Sequence, residues 1–278
     1  MSAAGVRALA VEAASALKTA RRELTSEGAG SVAVSGTLAE QLAKELGAGA
    51  QPGAVVVTDG PDVAGARAAV RVIAGDPSED DVAVVEAADE AGIPIVLVQL
   101  WPQEDWHAPF VLSPFVVECK TGEGFPIPTI AALLTVAVEH PAPLAARIPV
   151  LRDPVARSVE RGAVARAALV GLLDAKSGAA RPALAIEQVR MLARLLALTP
   201  PERRSDEVPI AAGLGAFTLA ASFGLRSLAR AARGRKPTPL VDALIAAAGT
   251  WALAELLRRV DVAALARDLS ERVENART

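Results

Sequence analysis

The apolar run at residues 94–100, followed a short way on by Val116, Val117, Glu118, Cys119, Lys120, Thr121, Gly122, Glu123, Gly124 and Phe125, constrains this chain more than any other stretch. A β-branched run that breaks into a glycine-bearing turn and re-enters a helical pattern at Pro128 is how a buried parallel strand delivers a loop to the carboxyl edge of a sheet. Open α/β sheets bind their ligands at that edge.

Upstream, the pattern builds toward the same sheet. Residues 3–27 space Val6, Leu9, Ala10, Ala13, Leu17 and Ala20 by threes and fours, which predicts an amphipathic helix ended by Gly28 and Gly30. Residues 31–35 read as a short buried strand, turning at Gly36 into a helix on Leu38, Leu42 and Leu46, with Thr37 as its cap. Residues 54–57 form a second strand ending in Thr58, Asp59, Gly60, Pro61 and Asp62. Residues 68–74 predict a third strand. The link from Thr58 to Arg67 is short for a parallel crossover, which leaves a helix within 62–75 as the rival. Asp76, Pro77, Ser78, Glu79, Asp80 and Asp81 open a helix whose acidic start suits the dipole. Residues 94–100 are the central strand, 111–118 the last one, and 127–140 the closing helix before Pro141 and Pro143. After that boundary the pattern is helical at 153–173 and 181–198, with apolar stretches at 208–225 and 240–257.

These residues resemble a degenerate Era-like GTPase domain followed by a YcjF-type helical domain of unknown function. The last conserved GTPase loop, Ser-Ala-Lys-Thr-Gly-x-Gly after a strand, is matched by Lys120, Thr121, Gly122 and Gly124, with Glu118 and Cys119 in place of Ser and Ala. In the helical part the matching features are Leu184, Gln188 and Met191, the segment from Ala212 to Gly215, and Ala248, Gly249 and Thr250. The resemblance implies a P-loop GTPase-like α/β fold, doubly wound on a mostly parallel sheet. Loss of the family's antiparallel strand would leave a flavodoxin-like strand order, since only residues 47–53 separate the first helix from the second strand. The expected organisation is an N-terminal helix over 1–29, the α/β domain over 30–145 and an all-helical domain over 146–278.

Measured against that family, the ligand motifs have decayed together. A working phosphate loop reads Gly-x-x-x-x-Gly-Lys-Ser/Thr, because backbone amides cradle phosphates while lysine and hydroxyl meet the γ-phosphate and magnesium. Here the turn reads Gly36, Thr37, Leu38, Ala39, Glu40, Gln41 and Leu42, without lysine or second glycine. The Asp-x-x-Gly sensor is scrambled at Asp59, and Leu100, Trp101, Pro102 and Gln103 replace the Asn-Lys-x-Asp that reads guanine. The expectation is a pseudo-GTPase, not an enzyme and without cofactor, acting as an interaction or scaffold module. Gly36, Thr37, Asp59, Lys120 and Thr121 would be its vestigial ligand positions. An atypical nucleotide-binding protein or GTPase using Gly36, the Asp59 loop and Lys120, and a membrane-embedded structural protein, are the rivals.

Charge and composition set the remaining limits. Residues 1–145 hold 8 Lys and Arg against 19 Asp and Glu, whereas residues 146–278 hold 21 against 13. Opposite halves suggest modules that attract each other or a basic surface facing an anionic partner. Arg226, Arg230, Arg233, Arg235 and Lys236 lie between the two apolar stretches. In a spanning hairpin they would cross the membrane against the positive-inside rule, so a buried helical core is favoured over peripheral attachment to anionic lipid through that loop. The expected partners are therefore a protein, either an intact GTPase or a second copy, and after it an anionic membrane surface. A recognised nucleic-acid motif is missing and aromatics make up only 3% of the chain, too few to offer stacking platforms. The lone Cys119 fits a reducing cytoplasmic compartment, with peripheral attachment at the inner face of the membrane as the extension of that reading, and permits no intrachain disulfide. His107 and His140 are far apart with no carboxylate pattern for a metal, so no metal site is expected. Gly213 and Gly215 sit in an apolar helical stretch with no strand before them, which rejects a dinucleotide fingerprint.

Overall fold

Five short β-branched runs become five strands: β1 Ser31–Gly36, β2 Val55–Val57, β3 Ala66–Ala74, β4 Ile95–Leu100 and β5 Val116–Cys119. The structure is a computed structural model that describes residues 30–101, 115–119, 122, 124–174, 180–198 and 239–259, together with positions 15, 18, 19 and 22, which are helical. All strands are parallel and lie in the order β2-β1-β3-β4-β5. The fold is thus α/β on an all-parallel sheet, with the strand order expected from loss of an antiparallel strand.

The helices are α1 Ala39–Leu46, α2 Glu79–Glu90, α3 Ile127–Ala137, α4 Ala142–Arg147, α5 Arg152–Asp174, α6 Ala180–Ala197 and α7 Pro239–Arg259, with a 3-10 turn at Pro149–Leu151. By contact the chain divides into residues 23–155, and residues 156–278 together with 1–22.

In the first unit, α1 and α3 touch each other, while α2 sets Val85 against Ile73 and Leu97 on the sheet. Right-handed crossovers in opposite directions from the sheet centre send β1-α1-β2 and β3-α2-β4 to opposite faces. This arrangement is compatible with a doubly wound domain. Val32, Val34, Val70, Val72, Val96, Leu97 and Val98 are almost wholly buried, as expected of strands covered on both faces.

One local alternative is decided and one expectation is corrected. Residues 66–74 are strand, as expected of 68–74, and the rival helix within 62–75 is absent, because the crossover after β2 needs no helix to cover the sheet. Residues 58–65 make it, and Val63 fills the space against Ala69 and Ala88. Thr37 does not cap α1. The N-cap is Leu38, in the left-handed region at φ 58°, and no side chain caps the helix, because the Thr37 amide is drawn to Val72 of β3.

The acidic helix start is built as the sequence suggests. Ser78 and Asp81 form a reciprocal capping box, the Ser78 Oγ accepting from the Asp81 amide and the Asp81 carboxylate from the Ser78 amide at 2.8 Å.

In the second unit, α5, α6 and α7 pack through two apolar layers. One joins Ala167, Leu184 and Ala246; the other joins Ala163, Met191, Leu192, Leu253 and Ala254. Gln188 lies between them and donates from Nε2 to Thr250 Oγ1 at 3.1 Å. No described helix is long and apolar enough to cross a membrane, and this includes α7, which carries the apolar stretch at 240–257. The stretch at 208–225 and the cations Arg226, Arg230, Arg233, Arg235 and Lys236 lie outside the described residues.

Candidate functional site

Because every strand is parallel, every strand ends at one edge, and the topological switch point falls between β1 and β3. Gly36 and Cys119 therefore end strands at the same edge, three strand spacings apart, or about 14 Å. Thr58 donates its amide to Val34, which sets the Asp59 turn beside the end of β1. The β1–β2 pairing thus places the Asp59 turn beside Gly36 and Thr37. Lys120 and Thr121 lie outside the described residues.

The switch point itself is closed. Gly36 has φ +95°, and a Cβ there would stand 2.1 Å from the Val72 carbonyl oxygen, so only glycine fits. The next amide, of Thr37, donates to that same carbonyl at 3.0 Å. The β1–β3 ladder in effect continues one residue beyond the strand, across the place where a crevice would open.

Only Thr37 and Leu38 then separate β1 from α1. The first helical bond of α1 runs from the Leu42 amide to the Leu38 carbonyl, which leaves the amides of Ala39, Glu40 and Gln41 as the free donors of its first turn. A connection of this length has no slack with which to wrap an anion.

Electrostatics oppose an anion as well. The described residues at this edge include exposed Glu40, Asp59, Asp62 and Asp76, and contain no exposed Lys or Arg. Asp62 accepts the Ala64 amide, which holds the turn after β2. At the end of β4, Trp101 takes φ 52°, stays 59% exposed and donates its amide to the Cys119 carbonyl. Burial pushes the Cys119 thiol above its ordinary pKa, so the neutral thiol is the resting form and it is a poor nucleophile.

Beneath this edge lies a polar constellation that the sequence pattern did not announce. Arg71, in the middle of β3, donates from Nε to Asp81 Oδ1 at 2.7 Å, and both side chains are about nine-tenths buried. Burial alone would raise the Asp81 carboxyl. The Ser78 amide, the Ser78 hydroxyl and Arg71 outweigh it and hold the group below its ordinary value. The capping box is thereby bolted to the sheet. Gln99, fully buried in β4, has no hydrogen-bond partner for either end of its amide among the described residues. An arginine inside an otherwise apolar strand, ten residues before an acidic helix start, was the available signal for the Arg71–Asp81 pair.

Among the described residues no group of His, Cys, Asp and Glu is placed to hold a metal ion. Compared with protein-family models, with curated proteins and with solved structures, the chain gives no match. The fold and the edge define an open parallel α/β domain whose switch point is sealed by its own backbone.

Proposed function

We propose that this chain is a pseudo-GTPase, a GTPase-like scaffold that no longer takes a nucleotide and works through its surfaces as an interaction module. The observation that carries the reading is the β1–α1 turn. Its leading glycine is pressed on Val72, its next amide is spent on the same carbonyl, and the carboxylates around it would repel a phosphate. Phosphoryl chemistry needs amides and cations converging on the phosphates, and this turn offers only the helix-start amides of Ala39, Glu40 and Gln41, with no cation in residues 36–42. A protein then takes the place of the nucleotide as the ligand, either an intact GTPase or a second copy of this chain.

Titration calorimetry of the full chain with GTP, GDP and ATP in the presence of magnesium tests this. The expected result is no binding tighter than about 1 mM, equivalent to about 4 kcal/mol. Micromolar affinity for any of the three overturns it.

A further inference from the structure

The strand at one margin of the sheet is left half-used. Among the described residues β2 pairs only with β1, through the bonds Val32 N–H to Ala54 O and Thr58 N–H to Val34 O. In a parallel ladder alternate residues face the neighbour. Ala54, Val56 and Thr58 therefore face β1, and the backbone N–H and C=O groups of Val55 and Val57 point outward. The side chains of Val56 and Val57 are 39% and 42% exposed. No lysine or inward charge blunts this margin, the usual defence of an exposed edge.

The geometry points to a second copy of this chain as the occupant, added strand to strand across a twofold axis at Val56 so that two sheets become one. Antiparallel pairing centred there sets Val55 of one copy opposite Val57 of the other, so that their outward groups bond reciprocally, and sets the two Val56 side chains against each other on one face. The same register puts Asp59 of one copy opposite Gly53 of the other, and a Cβ at Gly53 would lie 3.9 Å from an Arg147 guanidinium nitrogen. Arg147 is held there by donating to the carbonyls of Gly30 and Pro52. The pairing thus brings opposite charges together at both ends. Pro52 and Pro61 bound the margin on either side, which limits it to a short closed pair and opposes longer templating. This inference goes beyond the proposed loss of nucleotide binding, and holds whether or not the Gly36 turn takes a ligand.

Sedimentation equilibrium on the full chain should show a reversible dimer with Kd on the order of 10 µM, in keeping with a small transient interface. Val57→Pro removes an outward donor while leaving the β1 ladder intact, and Val57→Lys places a charge on the margin. Each should weaken the dimer about 10-fold or more. In a Cys119→Ala background, Val56→Cys should oxidise to a disulfide-linked dimer, because facing Cβ atoms of such a pair lie about 4.5 Å apart. Ala64→Cys in the same background should not. A monomer at all concentrations up to about 500 µM overturns the inference. So does a dimer indifferent to both Val57 variants, failure of Val56→Cys to cross-link, or slow hydrogen exchange at Val55 and Val57 in a monomer, which would mean that the chain covers its own margin.

Discussion

The α/β unit and the helical unit each bury a polar pair at the junction of their main elements, and they do so with opposite chemistry. In the first, Arg71 of β3 and Asp81 of α2 form an ion pair that also completes the helix cap. In the second, the Gln188 amide of α6 meets the Thr250 hydroxyl of α7, and that hydroxyl in turn donates to the Ala246 carbonyl at 2.9 Å. A buried ion pair adds little net stability while intact, yet losing one partner strands a charge in a poor solvent. A neutral pair risks far less. The comparison teaches that breaking the pair should be costly and pH-dependent in the first unit, and mild and pH-independent in the second.

The sharpest attempt to break that contrast is Asp81→Ala. It leaves Arg71 buried and unpaired and removes the reciprocal cap, with an expected loss of about 3–5 kcal/mol. Thiol labelling of Cys119, the single cysteine and a buried one, reads opening of this unit alone. Gly36→Ala should follow at about 2–3 kcal/mol, since it adds backbone strain to a contact with the Val72 carbonyl that cannot yield. The same labelling assay reads it, and a neutral result would show that the β1–β3 ladder can open there.

Acid sharpens the contrast without mutation. Because the folded Asp81 carboxyl titrates below its unfolded counterpart, its contribution is present above the ordinary carboxylate range and is lost as pH falls through that range toward the depressed value. Hydrogen exchange followed by mass spectrometry should show α2 and β3 losing protection on acidification before α6 and α7 do, and Asp81→Asn should abolish the difference. In the helical unit, Thr250→Val deprives Gln188 of its partner and should cost about 1–2 kcal/mol with no pH dependence, as measured by urea unfolding. The smallest effect has the opposite sign. Gln99→Met removes a buried amide unpaired among the described residues, at similar volume, and should raise the stability of the α/β unit by about 1 kcal/mol in the same assay. A loss there would show that the amide has a partner.

Much of the scaffold was legible because it rests on periodicity. The run at 94–100, the β-branched stretch before Lys120 and the acidic helix start at 76–81 each carry their own local signal, and strand, strand and helix stand there, with residues 111–114 of the expected last strand outside the described residues. The strand order was an implication of the resemblance, with residues 47–53 too few for that family's antiparallel strand, and the sheet has the flavodoxin-like order so expected. Residues 62–75 were ambiguous because crossover length is a property of the sheet's geometry. Once β2 proved to end level with the middle of β1, residues 58–65 sufficed to step back over it. The candidate site was half legible. That residues 36–42 hold no lysine and no second glycine is plain in the letters, but the Thr37 amide turned out to be spoken for by Val72, a contact made between residues distant in the chain.

Composition and periodicity by themselves determined that this chain alternates buried strands with helices and that its first half is acidic. Tertiary structure alone decided that Arg71 meets Asp81, that Gly36 lies hard against a neighbouring carbonyl, and that β2, among the described residues, pairs on one side only. Those facts depend on which strands become neighbours. Neighbour choice is settled by the packing of the whole sheet, which no local stretch encodes.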